Sequence, residues 1–358
     1  MTKEEIFQKI KDDITIANDT IEEIDLSKYD FKGVRFENIA FKNVDFSYSK
    51  IAKTGFKKCS FENVDFSHVD FEGLNWQNLS LINSDFTEAN MSKTSFSNMN
   101  FDGGDFSRTN LTQANFTKSS FKDAKFQKTL FFKTTFFEGS CGGAKFMECE
   151  LAKTTFFKTH MENAKFIKTS LLKVVLMECD ISEQNFSNTS LNMVAFNGSN
   201  ISKSNFNGSN ISKSNFLKCD LSNSSFVGVN AKNAIFMEAK VNSCDFKNAD
   251  LYQCNFQETM IDTSDFSKSN LVQTYFVKTV CQNSDFKNAD MRFANLSYAD
   301  FKNVNFKNTN LTRSLIHMIQ LENSNINQAI CIGMQKTDKE LAEAESWRAD
   351  KTIDKSEK

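Results

Sequence analysis

The sequence predicts an all-β solenoid, a four-sided parallel β-helix of about 15 coils with a short helix at each end. Three observations lead to this prediction. Every fifth residue from Phe31 to Cys331 is apolar, in 61 consecutive positions without an insertion or deletion. The 358 residues include 38 Phe, 33 of them at these positions, and no Pro. Residues 20 apart share the same chemistry, so four five-residue sides make one coil.

Each five-residue unit is predicted to form one side of a coil. A period of five fits neither the 3.6 of an α-helix nor the 2.0 of a β-strand. The residue two before each large apolar one is small or β-branched, as in Val44, Thr54 and Cys59. Two inward side chains separated by one outward residue, followed by a two-residue corner, produce this pattern. Coils stacked about 4.8 Å apart would form a rod on the order of 70 Å long.

The large inward residues also predict how the core is filled. Between Ile181 and Phe286 they alternate strictly between Phe and an aliphatic or small residue. We therefore expect two opposite walls made of Phe and two aliphatic walls, which keeps the core volume of each layer nearly constant. The absence of Pro agrees with this, because each coil needs its backbone N–H groups to pair with the next.

The two ends of the rod need cover, and each terminus predicts a helix. Thr2-x-x-Glu5 is a capping box, which places an N-terminal capping helix within residues 1–20 and the β-helix at 21–333. The apolar residues on one face of the first helix are Ile6, Phe7, Ile10 and Ile14.

The C-terminal segment, 334–358, is predicted to hold a second helix and a tail. Thr337-x-x-Glu340 repeats the capping signal. Leu341, Ala344 and Trp347 follow at helical spacing. We expect this helix to cover the end of the rod or to join two rods, and residues 350–358 to fray.

The repeat resembles that of the pentapeptide-repeat family, whose motif is a small residue, Asn or Asp, Leu or Phe, then two polar residues. Ala89-Asn90-Met91-Ser92-Lys93 and Ala114-Asn115-Phe116-Thr117-Lys118 are examples, and the resemblance covers about 300 of the 358 residues. It implies a right-handed quadrilateral β-helix. Some members of the family inhibit or protect DNA gyrase, and in some the C-terminal helix forms a homodimer. The fold alone does not determine the function.

No catalytic, cofactor or metal site is predicted, and we expect the protein not to be an enzyme. The nine Cys all occupy inward positions, and no CxxC pair or Cys/His cluster is present. The three histidines, His68, His160 and His317, are expected in three different columns on the outer surface. A lattice without inserted loops offers no cleft for a substrate.

Charge and targeting signals restrict the partners only loosely. The net charge is −2, and residues 31–333 alone carry a net +4. Direct nucleic-acid binding is therefore not expected. The first 20 residues lack the apolar stretch of a signal peptide, and no stretch of the sequence is long enough for a membrane span. The prediction is a cytoplasmic protein, or one exported without a classical signal peptide.

Two outward columns of charge stand out when residues are read at intervals of 20. The candidate acidic column is Asp45, Asp65, Asp85 and Asp105, which continues as lysine at 125, 145 and 165. It could imitate DNA phosphates towards a topoisomerase, or its side chains could bond to neighbouring turn amides. The second column is Lys53, Lys93, Lys133, Lys153, Lys173 and Lys213, for which a solvated face is the simpler interpretation.

The candidate interaction patch is apolar. Large apolar residues occupy a corner position that elsewhere holds Ser, Thr or Lys. They are Phe132, Phe137, Met147, Phe157, Ile167, Leu172 and Met177. We interpret the protein as an interaction scaffold that binds a macromolecular partner, of unknown identity, through its outer faces. The alternative is a DNA-mimicking binder of gyrase or another topoisomerase.

Overall fold

The computed structural model describes residues 1–346 and shows a parallel β-solenoid of about 15 turns with a short helix near each end. Trp347 and the tail at 350–358 lie outside the described residues. Throughout the rod a residue pairs with the one 20 positions later, as in Asp45 with Asp65. In residues 1–346 no helix combines the length and the apolar content that crossing a membrane requires.

Most strands are three residues long because each side of the coil has room for only three extended residues. The helices and strands are α1 (Lys3–Lys11), β1 (Ile16–Glu22), β2 (Arg35–Lys42), β3 (Gly55–Lys57), β4 (Ser60–Glu62), β5 (Asn75–Gln77), β6 (Ser80–Ile82), β7 (Ser95–Ser97), β8 (Asn115–Thr117), β9 (Lys125–Gln127), β10 (Thr135–Phe137), β11 (Lys145–Met147), β12 (Thr155–Phe157), β13 (Lys165–Ile167), β14 (Val175–Met177), β15 (Lys240–Asn242), β16 (Met260–Asp262), β17 (Val280–Gln282), β18 (Asp300–Lys302), β19 (Gln320–Glu322) and α2 (Lys339–Ser346). Isolated parallel bridges continue the pairing elsewhere.

We name the four sides of the coil by their large inward residues, which recur every 20 positions. Face A carries Phe41 and Phe61, face B Phe46 and Phe66, face C Ile51 and Phe71, and face D Phe56 and Trp76. In each five-residue unit, the side position is the outward residue just before the large inward one. The first and second corner positions are the two residues that follow it.

The corners depend on a left-handed backbone. From Asp13 to Asn323 every fifth residue, always at the second corner, has a positive φ, between 49° and 62° where the residue is not glycine. Many corners are closed as β-turns, as where the Val34 N–H donates to the Phe31 carbonyl at 3.0 Å. A positive φ in the third residue of such a turn is the mark of type II geometry.

The core is arranged as the alternation predicts. In the second half of the rod the Phe rings form two stacks, on faces B and D. Centroids are 4.8 Å apart for Phe206 and Phe226 on face B, and 5.0 Å apart for Phe216 and Phe236 on face D. Rings of the two stacks meet edge-on across the core, as Phe216 and Phe226 do, which adds favourable aromatic contacts within each layer.

Ser, Thr and Cys at the small inward position form hydrogen bonds between consecutive coils. The buried hydroxyl of Thr154 donates to the Phe131 carbonyl at 2.9 Å, and Thr109 makes the same bond to Phe86. The donor lies 23 residues after the acceptor in both cases, so each bond joins consecutive coils. A small hydroxyl can therefore be buried here without losing its hydrogen bond.

The N-terminal helix begins at the predicted capping box. The Thr2 hydroxyl accepts the Glu5 N–H, and the Glu5 carboxylate accepts the Thr2 N–H. Ile6 is fully buried against the first coil, and the Phe7 ring stacks on Tyr29 at 4.4 Å. Ile14 does not share this face and is 51% exposed, because the helix ends at Lys11.

The C-terminal helix differs from the prediction in its cap, and it does not fill the first of its two predicted roles, which was to cover the end of the rod. Asp338, not Thr337, accepts the Leu341 N–H and begins the helix. Thr337 instead accepts the Met318 N–H. Within residues 1–346 the helix buries none of its side chains and lies beside the rod, so Leu321 in the last coil stays 37% exposed.

Candidate interaction surfaces

Within residues 1–346 no three His, Cys, Asp or Glu side chains are grouped as metal ligands. His68 bonds to Glu88 at 3.3 Å, and His160 to Glu162 at 3.3 Å, on different faces. The prediction that His317 is on the outer surface is wrong. Its side chain is 4% exposed because residues 338–345 cover it.

Eight of the nine cysteines are buried, and their thiols act as core groups. The Cys244 Sγ donates to the Leu221 carbonyl at 3.0 Å, the same contact between coils that Thr154 makes. Burial raises the pKa of Cys219 to about 12 and the pKa of Cys244 to about 12. Thiols held in their neutral form inside the core are neither nucleophiles nor metal ligands.

The acidic column lies at the side position of face B, where its carboxylates bond to their own corners. Oδ1 of Asp45, Asp65 and Asp85 each accepts the N–H two residues later at 2.7 Å. The four Asp side chains are half-buried. Asp105 pairs with the Lys125 Nζ at 2.9 Å, and the lysines then continue the column.

The seven residues of the apolar patch fall into three columns. Phe137, Phe157 and Met177 stack at the first corner of face D, with ring centroids of the two Phe 5.3 Å apart. Met147 and Ile167 pair with each other on face B, in a different sheet. Faces B and D are opposite sides of the coil, so these two columns do not form one surface.

Phe132 and Leu172 form the third column, on face C, where both are exposed. Lys133 and Lys153 of the lysine column each place Nζ near the Phe132 ring, at 5.3 and 5.4 Å from its centroid. Cation–π contacts within the chain therefore already occupy this ring. Lys93 of the same column pairs with Glu72 at 2.7 Å.

Face D has two columns, at the side and first-corner positions, that carry no charge over most of the length of the rod. Its side positions from 75 to 335 are Asn75, Ser95, Asn115, Thr135, Thr155, Val175, Ala195, Asn215, Ile235, Asn255, Tyr275, Asn295, Leu315 and Gln335. Its first corners from 77 to 297 are Gln77, Ser97, Thr117, Phe137, Phe157, Met177, Asn197, Leu217, Met237, Gln257, Val277 and Ser297. This uncharged strip is about 60 Å long.

The charged residues that border the uncharged strip pair with one another. At the second corner of face D, Lys and Glu fill all but one of the positions from 118 to 278 and pair between neighbouring coils. Lys158 pairs with Glu178 at 3.7 Å, and Lys218 with Glu238 at 3.3 Å. Sorting the sequence by face and by position at intervals of 20 would have revealed the strip, since no side chain on it is unusual by itself.

The C-terminal helix α2 lies on the last coils of face D. The Glu345 carboxylate accepts hydrogen bonds from the Tyr298 hydroxyl and from His317 Nε2, the latter at 3.1 Å. The Asp338 N–H donates to His317 Nδ1 at 3.2 Å. A pocket of about 530 Å³ lies between the helix and the face, lined in part by Val277, Leu315 and Leu341.

Comparisons with known proteins agree with this architecture. The family pattern for pentapeptide repeats matches eight times, between residues 59 and 131 and between 214 and 328, and the related pattern for a pentapeptide repeat region matches 142–216. No curated protein matches the chain.

Solved structures similar to the chain include two pentapeptide-repeat proteins. A trypsin-treated form of QnrB1, a plasmid-mediated fluoroquinolone resistance protein, is 24% identical over 49% of this chain and 88% of its own, with a TM-score of 0.33. HetL, involved in heterocyst differentiation regulation in the cyanobacterium Nostoc sp. strain PCC 7120, is 16% identical over 74% of this chain and 88% of its own, with a TM-score of 0.22. With its repeats matched over more than half of its length, the chain belongs to the pentapeptide-repeat family.

Proposed function

We propose that the protein is a non-enzymatic scaffold that binds a protein partner through the uncharged strip of face D. The observation that carries this proposal is the absence of charge from the side and first-corner columns of one face over about 12 coils. Faces A, B and C all carry charged residues along the same length. Because desolvating a charge is costly, a face without charges is the one that loses least when it is covered.

The composition of the strip favours a protein over a nucleic acid. Phosphates are recognised by lysine and arginine, which the strip lacks. Aromatic and Met side chains are enriched where proteins meet, and Phe137, Phe157 and Met177 stack together in the N-terminal half of the strip. Asn, Ser and Thr around them offer hydrogen bonds to a partner's backbone. The helix α2, which lies on the same face, is an example of polypeptide packed there.

The experiment uses two residues that are matched in position and exposure. Tyr275 on face D and Met260 on face A are side-position residues of the same coil, and each is 50% exposed. A photo-crosslinking amino acid at position 157 would capture the partner, which is then identified and purified. We expect Tyr275→Lys to weaken its binding at least about tenfold, as for a hot-spot tyrosine, because the change places a charge on the uncharged strip. Met260→Lys should leave binding unchanged, and equal losses would refute the role of face D.

Topoisomerase binding is the second candidate function, and the acidic column favours it. In Asp45, Asp65 and Asp85 one carboxylate oxygen bonds to the chain's own backbone, which leaves Oδ2 to imitate a phosphate. The column is limited to one face and gives way to lysine at residue 125. Inhibition of gyrase supercoiling by the purified protein, lost in Asp85→Lys, would favour this candidate over the scaffold.

The free thiols of the core suit a reducing compartment, and we propose a cytoplasmic protein on that basis. A homodimer through the C-terminal helix remains a prediction, with the exposed Leu321 and Ile330 of the last coil as the surface that it would cover.

A further inference from the structure

The outward side column of face B changes from aspartate to lysine at its centre, and the turn hydrogen bonds explain only the aspartates. At its centre, Asp105 and Lys125 neutralise each other at 2.9 Å. On one side lie Asp85 and Asp65, and on the other Lys145 and Lys165, all in register at intervals of 20. Within the described chain none of these four outer residues forms an ion pair. Like charges about 4.8 Å apart repel along each half of the column.

This order is self-complementary under a two-fold rotation. We propose that face B binds face B of a second copy of this chain, with the rods antiparallel and the two-fold axis between Asp105 and Lys125. The rotation exchanges the coil of residue 85 with that of residue 145, and the coil of 65 with that of 165. Asp85 then faces Lys145 of the second copy and Asp65 faces its Lys165, and the reciprocal pairs form as well.

The neighbouring column on face B fits the same rotation by size. At the first corner, Met147 and Ile167 are large, and Ile167 is 44% exposed. The rotation places Met147 opposite Thr87 of the second copy and Ile167 opposite its Ser67. Large side chains thus meet small ones, and the apolar pair of face B becomes covered. Met147 and Ile167 would therefore contact a second copy of this chain, whereas the opposite face D is proposed to bind a different protein.

The second corner of face B places like charges opposite each other, since the rotation brings Arg108 to Lys128 of the second copy and Glu88 to its Glu148. Within each chain Arg108 pairs with Glu88 at 2.7 Å, and Lys128 with Glu148 at 3.6 Å. Each pair is close to neutral, which limits this repulsion, and the attraction between the copies comes from the side column. A nucleic acid suits the column poorly, because a uniform row of phosphates would meet the aspartates as well as the lysines.

The size of the contact determines its strength. Six coils of three residues cover about 30 Å by 10 Å on each copy, or roughly 600 Å² in total. Stable interfaces bury about 1,200–2,000 Å², so the dimer is weak, reversible and sensitive to salt.

The test is a charge exchange in the full-length protein, followed by sedimentation equilibrium at about 0.05 M salt. Asp65→Lys alone places lysine against Lys165 of the second copy, and Lys165→Asp alone places Asp65 against aspartate. We expect each single variant to dimerise at least about tenfold more weakly than the wild type. An equimolar mixture of the two variants should recover dimers, because both contacts between unlike chains become attractive. The double variant Asp65→Lys, Lys165→Asp should also recover them.

The same column also shows that the substitutions should not disturb folding. Lysine occupies this position naturally at residues 125, 145 and 165, so circular dichroism of the variants should match the wild type. A wild type that stays monomeric up to about 1 mM at low salt would overturn the proposal. So would a dimer that neither variant weakens, which is the result expected for association through the C-terminal helix. Failure of the mixture to recover dimers would overturn it as well.

Discussion

At the scale of the residue, the second corner is where the fold constrains the side chain most. Asn, Lys and Glu fill most of these left-handed positions along the rod, and glycine occupies seven of those between residues 13 and 323. A left-handed conformation costs an L-residue about 1–2 kcal/mol, and a β-branched side chain is the least tolerant. The repeated hydrogen bonds between coils must outweigh this cost in every unit.

Gln113 is a suitable position to measure that cost, with a φ of 59° and an exposed side chain. We expect Gln113→Val to lower the free energy of unfolding by about 1–2 kcal/mol in urea titrations. Gln113→Gly should change it by about 0.5 kcal/mol or less, because glycine adopts this φ freely but gains entropy when unfolded. The control is Thr112→Val at the first corner of the same coil, where no loss is expected.

The reactivity of the cysteine thiols can also be predicted at this scale. Burial raises the pKa of Cys179 to about 12 and the pKa of Cys281 to about 12, so neither is ionised at pH 8. Cys331, in the last coil, is only half-buried. In the folded protein we expect a thiol reagent to react readily with Cys331 alone, and with all nine cysteines in guanidinium. Rapid reaction of several thiols without denaturant would contradict the closed core.

At the scale of the element, the sequence predicts what depends on neighbours five and 20 residues apart. The alternating Phe walls and the Thr2 capping box are of this kind and are present in the structure. The division of the apolar patch into separate columns could not be predicted in this way, because each step of five residues turns the chain by a quarter. Phe137 and Met147 are close in sequence yet occupy opposite faces. Burial of His317 depends on how α2 packs, which no period encodes.

The ion pair between Asp105 and Lys125 joins two consecutive coils, and its contribution to the stability of the fold is expected to depend on pH. Burial acts to raise the pKa of Asp105, but hydrogen bonds from Lys125 and Ser107 outweigh it and hold the pKa below its usual value of 3.8. A carboxyl with a lowered pKa in the folded state stabilises the fold above its ordinary pKa, and this contribution disappears as the pH falls below it.

Asp105→Asn keeps the turn acceptor and removes the charge. At pH 7 we expect the variant to be less stable than the wild type by about 0.2–1 kcal/mol, as for partly exposed ion pairs. The difference should shrink as the pH is lowered from 7 to about 2, because the wild-type carboxyl also loses its charge as the pH falls through the lowered pKa of the folded state. Urea unfolding at the two pH values measures both. A difference that is independent of pH would show that the ion pair contributes nothing.

At the scale of the whole molecule, the rod is a stack in which each coil contacts only its neighbours, so stability is expected to vary along its length. The two ends are covered to different extents. Ile6 of α1 is fully buried on the first coil, whereas Leu321 at the other end is 37% exposed. Loss of the N-terminal cover should therefore affect the first coils and leave the middle of the rod unchanged.

Ile6→Asp tests this locality, with Ile14→Asp as its control. Burying an isoleucine is worth about 1.5–3 kcal/mol, and a buried unpaired carboxylate adds a further penalty, so α1 should detach in the variant. We expect amide hydrogen exchange in β1 and β2 to accelerate by about 10- to 100-fold, while residues 196–276 keep their protection. Ile14 is 51% exposed and follows the helix, so Ile14→Asp should leave exchange unchanged throughout. Equal acceleration along the entire rod would mean that the coils unfold as one unit, because the loss of one end could then not remain local.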